Sequence, residues 1–158
     1  MKKDYSIIDD KNIKGFFGEY RWLSNFHVAP CYYQGILYPS SENAYQAAKI
    51  IPEERNNFLT ITPSQSKKAW KKYTKLDRDD VEWDGRKLDV MKVIVFDKFL
   101  RNKELLVKLI NTGDKYLEET NDWGDQFYGV DIEKGGLNHL GKMLMELRTL
   151  FQELKRKV

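Results

Sequence analysis

"YPSSENAYQAAKI", residues 38–50, is where the chain changes period. Just upstream, "CYYQGILY" (31–38) holds two β-prone runs around Gln34-Gly35, a dipeptide suited to a hairpin turn. From Ser41 onward, Ala44, Ala47, Ala48 and Ile51 recur at helical spacing and mark a packing stripe. Ser41 is the expected cap, and Glu42 in the first turn suits the helix dipole. Pro52 stops the helix. The other side carries Glu42, Gln46 and Lys49, spaced by four and three residues and therefore on one face. Such a line is either a solvated stripe or a set of working groups, and spacing does not separate the two. Tyr45 borders it on a short, Ala-rich helix, which is compatible with burial on both faces. A Glu and a Lys in a partly buried pocket are groups whose pKa values a site can tune.

Working outward, residues 15–38 read as short strands, with "GFFGEY" as an aromatic, Gly-punctuated one. Thr62, Pro63 and Gln65 spell a capping box opening a second helix that runs through Trp70 to about Tyr73. A third helix, roughly 85–101, has apolar residues around most of its circumference (Leu88, Met91, Val93, Ile94, Val95, Phe96, Phe99, Leu100) and reads as the central buried one. Asn102 is placed to cap a fourth, "KELLVKLIN", ending at Gly113. Residues 114–136 look irregular apart from a short strand at "KYLEE". They hold Trp123, Gly124, Asp125, Gly129, Gly135 and Gly136, and a long Gly- and Asp-bearing loop is usually functional. A last helix, roughly 137–155, has an ordinary core-facing stripe from Leu140 to Leu154. The expectation is an α+β fold, mainly helical, as one compact domain over 1–158 with a small N-terminal β element.

Bulk properties narrow the function. The chain has 158 residues, 41% hydrophobic and 32% charged, and a net charge of +3. One cysteine, Cys31, forbids an internal disulfide and fits a reducing compartment. The charged N-terminus lacks a signal-peptide core and no apolar run approaches spanning length, so the expectation is a cytoplasmic protein with no membrane partner. With two histidines and one cysteine, no zinc-ligand spacing exists; no acidic cluster asks for magnesium, and no cofactor is called for. Gly135-Gly136 precedes a helix N-terminus and reads as an anion cradle or, more economically, as turn chemistry. There is no Walker pattern and no GxSxG elbow. The excess basic charge concentrates in "KKAWKKYTK" (67–75) and the tail, as a nucleic-acid contact or a solvated face.

Taken together, "FFGEYRWLSNFHVAP", "GILYPSSENAYQAAK", "VEWDGRKLDVMKVIVFDKF", "NTGDKYLEETNDWGDQFYGV" and "GGLNHLGKMLMELR" resemble, in order, the motif blocks of the NADAR (YbiA-like) family. The resemblance covers about residues 14 to 151. It implies a compact, mainly helical domain and an N-glycosidase tied to NAD and ADP-ribose metabolism. Some members remove ADP-ribose from modified guanine in nucleic acid; others hydrolyse phosphoribosylamino-pyrimidine intermediates of riboflavin synthesis. It further implies Glu42, Lys49 and Asp125 as catalytic residues. Asn25, Phe26, Gln46, Trp83, Trp123, Gly124, Tyr128, Gly136 and Asn138 are implied as substrate-binding positions. Two positions depart from the family pattern: Tyr128 where a Trp is usual before Gly, and Asn43 where a His often follows the motif Glu.

The chemistry matches these residue types. A carboxylate stabilises an oxocarbenium-like ribose and activates water. A neutral lysine is a second route, attacking the anomeric carbon to give a Schiff base. The sequence leaves water and Lys49 both open as nucleophile. Trp83 suits stacking on a base, and Arg21 and Arg86 suit phosphates. Expected partners are ADP-ribosylated nucleic acid or a nucleotide-like small molecule, with oligomeric state open. The competing class is a non-catalytic ADP-ribose or NAD-binding module.

Overall fold

A computed structural model describes residues 3–158. Its elements are, in order, β1 (Ile7–Ile8), β2 (Asn12–Lys14), β3 (Val28–Tyr33), β4 (Ile36–Ser40), α1 (Ser41–Ala47), α2 (Pro63–Ala69), α3 (Asp80–Arg101), α4 (Lys103–Asn111), β5 (Tyr116–Glu118), β6 (Thr120–Asn121), β7 (Val130–Asp131) and α5 (His139–Arg156). Short 3-10 segments lie at Gly18–Leu23, Pro52–Phe58 and Trp70–Lys72. The fold is α+β and mainly helical. Two compact units make it up: Met1–Ser24 with Lys103–Val158, and Asn25–Asn102.

In the first unit, β2 pairs antiparallel with β1 and parallel with β5, so Ile13 stands beside Leu117. Both are buried, as are Leu144 and Leu147 of α5. Gly141 of α5 lies against β5, where an added Cβ would stand 2.1 Å from the Leu117 carbonyl oxygen. Only glycine permits that approach.

In the second unit, β3 and β4 form the expected hairpin. Gln34 and Gly35 both take positive φ, at 44° and 90°, as a two-residue turn of this hand requires. Helix α3 packs across β3, and α1 is packed by α2, α3 and both strands. Ala44, Ala47 and Ala48 are fully buried, their small side chains letting the neighbouring elements close in. The Thr62–Gln65 capping box is present with both reciprocal bonds.

The structure corrects several local expectations. "GFFGEY" is not a strand: Gly18 at φ +55° turns the chain into a 3-10 segment. The cap of α1 is Ser40, one residue earlier than expected. The second helix tightens to 3-10 at Trp70 and stops at Lys72. Helix α3 begins at Asp80, five residues earlier, because the Asp79 carboxylate accepts the Glu82 N–H at 2.9 Å. It is not buried all round: Val93 and Leu100 are exposed. Asn102 stands directly before α4, as expected, and also closes α3, donating to the carbonyls of Lys98 at 2.6 Å and Pro30 at 2.9 Å. Leu150 and Leu154, at the far end of the α5 stripe, are exposed.

Candidate active site

The first turn of α1 is held by two asparagines. Asn25 accepts the Glu42 N–H on its carbonyl at 3.1 Å and the Ser41 hydroxyl on Oδ1 at 2.9 Å. Asn43 donates from Nδ2 to the carbonyls of Phe58 and Ile61, both at 2.9 Å, while Ser40 Oγ accepts its N–H at 3.1 Å. This turn is therefore fixed from both sides before any substrate arrives. Every residue from Ser41 to Ala48 is buried. The Glu42–Gln46–Lys49 line is thus no solvated stripe. Glu42 is 6% exposed, and its Oε1 accepts Gln46 Nε2–H at 2.7 Å. Gln46 Oε1 is buried without a partner.

Lys49 sits just past the helix end. Backbone pairing pins it, since its carbonyl accepts the Leu76 N–H and Ile50 bridges to Lys75. Its ammonium stands among three aromatic rings, 4.5 Å from the Trp70 centroid, 5.2 Å from Tyr45 and 5.7 Å from Trp83. These rings favour the cation, yet the pKa falls from 10.5 to about 8. Burial is the main cause; Glu42 pushes the other way, and Lys87, Lys67 and Lys71 add repulsion. At pH 7 about one Lys49 in ten is then neutral, against fewer than about one in a thousand for an ordinary lysine.

Lys49 opens into a small cleft lined by Trp70, Trp83, Lys75, Asp77, Asp79 and Asp80. Trp83 is half-buried, tilted against Tyr45 with ring centroids 5.4 Å apart. Arg86 also packs against it: the guanidinium lies 4.7 Å from the Trp83 centroid. It also bonds both Asp77 oxygens at 2.7 Å and the Ala48 carbonyl at 2.8 Å. Arg86 is therefore committed to holding the cleft, which leaves little of it for a phosphate. Phe26, half-buried, carries the Lys67 ammonium 5.8 Å from its centroid. The sequence reading missed Trp70 as a site residue. Its signal was there in "KKAWKKYTK", an aromatic set between lysines.

The remaining predicted positions lie in the first unit. Asp125 Oδ1 accepts the N–H groups of Phe127 and Tyr128, at 3.1 and 3.0 Å, so this carboxylate organises its own loop. Gly124 takes φ +84° and donates to Asp131 Oδ2 at 2.9 Å. Trp123 is 46% exposed, edge-on to Phe17, and Tyr128 packs edge-on against Phe127. Gly136 lies so near the Gly129 carbonyl that a Cβ would stand 2.2 Å from it. Asn138 is buried, and its amide is used up within the unit. Oδ1 accepts the Glu119 N–H at 3.1 Å, and Nδ2 donates to the Leu117 carbonyl at 2.9 Å and the Tyr116 hydroxyl at 3.1 Å. The N–H groups of Asn138, His139 and Leu140 bond to the carbonyls of Gly129, Phe127 and Tyr128. Gly135 donates its N–H to the Asp131 carbonyl, and with the first helix N–H groups bonded inside the loop, Gly135-Gly136 reads as turn chemistry. Arg21 is exposed.

A lysine held partly neutral in an aromatic cleft, two turns along the chain from a buried carboxylate that acts on it, is equipment for covalent and acid–base chemistry. Comparison with known proteins identifies the family: residues 14–152 match the NADAR domain, and the chain belongs to the NADAR family. It is 32% identical over 140 residues to N-glycosidase Npun_R5314 of Nostoc punctiforme, covering 85% of this chain and 88% of that protein. It is 33% identical over 134 residues to the riboflavin biosynthesis protein VVA0006 of Vibrio vulnificus, covering 84% of this chain but only 36% of that longer protein. The fold is similar to the NMR structure of the Escherichia coli protein YbiA, with a TM-score of 0.78 at 26% identity over 99% of this chain and 94% of that one.

Proposed function

We propose that this protein, an N-glycosidase by its family, removes ADP-ribose from ADP-ribosylated guanine in nucleic acid, with Lys49 as nucleophile and Glu42 as proton carrier. The observation that supports the reading most is the Lys49 environment, an amine brought to about 8 by burial beside aromatic rings.

In this reading the Lys49 Nζ lone pair forms a bond to the anomeric carbon of the ribose. The bond from that carbon to the base nitrogen breaks, its electron pair stays on the nitrogen, and the proton shed by Nζ is carried by the Glu42 carboxylate to cap it. The bond from that carbon to the ring oxygen then breaks with its pair on the oxygen, which takes a proton from water, and the Nζ lone pair closes a lysine-bound iminium. Water, activated by the Glu42 carboxylate, adds to that carbon and releases the sugar and the free amine. Gln46 and Asn25 position Glu42, and Trp83 and Trp70 offer flat faces to the base. Asp125 enters as a second carboxylate on the family resemblance alone. Asp125→Asn keeps an oxygen for the two backbone N–H groups, so any loss in that variant reads the charge and not the loop.

The second reading, a phosphoribosylamino-pyrimidine of riboflavin synthesis as substrate, is favoured by the similarity to the Vibrio vulnificus protein. Parallel assays on both substrates separate the two. The proposal expects release of ADP-ribose from ADP-ribosylated oligonucleotide at a kcat/KM at least tenfold above that for the pyrimidine. The reverse ratio gives the substrate to the second reading, and saturable binding without turnover of either would mark a binding module.

A further inference from the structure

We infer that the lysine run 67–75 is a docking surface for the phosphodiester backbone of a single-stranded nucleic acid, placed so that a base of the bound strand reaches the Lys49 cleft. The inference rests on the proposed nucleic-acid substrate and adds the surface that would hold it.

Lys67 and Lys68 belong to α2, Lys71 and Lys72 to the 3-10 segment behind it, and Lys75 to the stretch bridged to Ile50. All five are exposed. Residues 67–75 contain no acidic side chain. Among the described residues none of the five is in an ion pair. A solvated basic face is ordinarily laced with acids one turn away, and α3 and its approach follow that habit: Arg78, just before the helix, pairs with Glu82, and within it Lys87 pairs with Asp84 and Arg101 with Asp97. The run at 67–75 departs from it. Its like charges repel one another, and Lys67 and Lys71 also act on Lys49.

Two features give the patch a direction and an occupant. Aromatic rings are interleaved with it: Trp70, with the Lys75 ammonium 5.5 Å from its centroid, also lines the cleft, and Phe26 lies beneath Lys67. A basic track beside stacking faces is how unpaired strands are gripped. The cleft lining also holds Asp77, paired with Arg86, and the carboxylates of Asp79 and Asp80. A polyanion entering there is turned toward the lysines. A lone phosphate group is a poorer fit. Lys67 and Lys68, successive residues of α2, point roughly 100° apart around its axis and cannot both close on one phosphate.

The test uses the full chain and a fluorescently labelled, unmodified twelve-nucleotide single strand, with binding read by anisotropy between 50 and 200 mM salt. Wild type is expected to bind with log K falling linearly in log salt at a slope of about −3, four to five phosphates at roughly 0.7 each. Lys68→Gln/Lys72→Gln is expected to shrink that slope by about 1.4, with an unaltered melting temperature. A slope equal to wild type in that variant, or no measurable binding by wild type, overturns the surface. Salt-dependent binding without any release of ADP-ribose overturns the activity and leaves the surface standing. Release from an ADP-ribosylated mononucleotide without salt-dependent strand binding overturns the surface alone.

Discussion

Lys49 carries the argument at the scale of single residues. Its amine reacts only when neutral, and burial lowers its pKa to about 8. Under saturating substrate the rate should therefore rise with pH and level off above about 8. The Glu42 carboxylate pushes this pKa up, while Lys67 and Lys71 push it down. Glu42→Gln should accordingly move the rising limb to lower pH while costing about 10²–10⁴-fold in rate as proton transfer is lost. Lys67→Gln/Lys71→Gln should move the limb to higher pH. Limbs that stay in place in both variants would remove Lys49 from the chemistry. The same shift affects stability. Between pH 8 and 10.5 the unfolded chain holds a proton on Lys49 that the folded chain has lost, so stability gains with pH across that window. Spacing made the Glu42–Gln46–Lys49 line legible in the sequence, whereas its burial depends on α2, α3 and the hairpin closing over α1, which no local pattern encodes.

At the scale of elements, what was legible was what local chemistry decides. The Gln34-Gly35 turn and the Thr62–Gln65 box each need only their own few residues, and both are present. Strands β1 and β2 were missed because they are two and three residues long, and β2 finds its parallel partner at Tyr116–Glu118, about a hundred residues on. "GFFGEY" has strand composition, but one left-handed glycine overrode it. Gly141 shows the same limit in α5. By propensity Gly141→Ala should stabilise the helix by about 1 kcal/mol. The new methyl would stand 2.1 Å from the Leu117 carbonyl, so helix and strand must part. The expected outcome is a loss of about 2 kcal/mol or more in a denaturation experiment, as for overpacked cores. A gain in stability would show that α5 does not lie on β5 as described.

For the molecule as a whole, family blocks spread over residues 14 to 151 were readable in the sequence, and the match over residues 14–152 bears them out. The α+β, mainly helical class was readable too. Site details were less so. Asn138 looked like a pocket residue and instead spends its amide joining Leu117, Glu119 and Tyr116. Arg86 looked free for phosphate and is taken by Asp77. Conversely, Trp70 looked like one side chain of a basic helix and lies 4.5 Å from the Lys49 ammonium. Among the described residues no helix is long and apolar enough to cross a membrane.

The central claim is that Lys49 forms a covalent bond to the sugar whose base it releases. The most direct measurement is borohydride trapping during turnover of an ADP-ribosylated oligonucleotide, followed by mass spectrometry of the digested protein, in wild type and Lys49→Arg. Arginine keeps the cation among the rings but does not lose its proton at working pH. The account predicts ADP-ribose release by wild type, a reduced sugar adduct on the peptide carrying Lys49, and in Lys49→Arg no adduct and at least about 10³-fold slower release. Release at the wild-type rate by Lys49→Arg, or an adduct on another lysine, would contradict it.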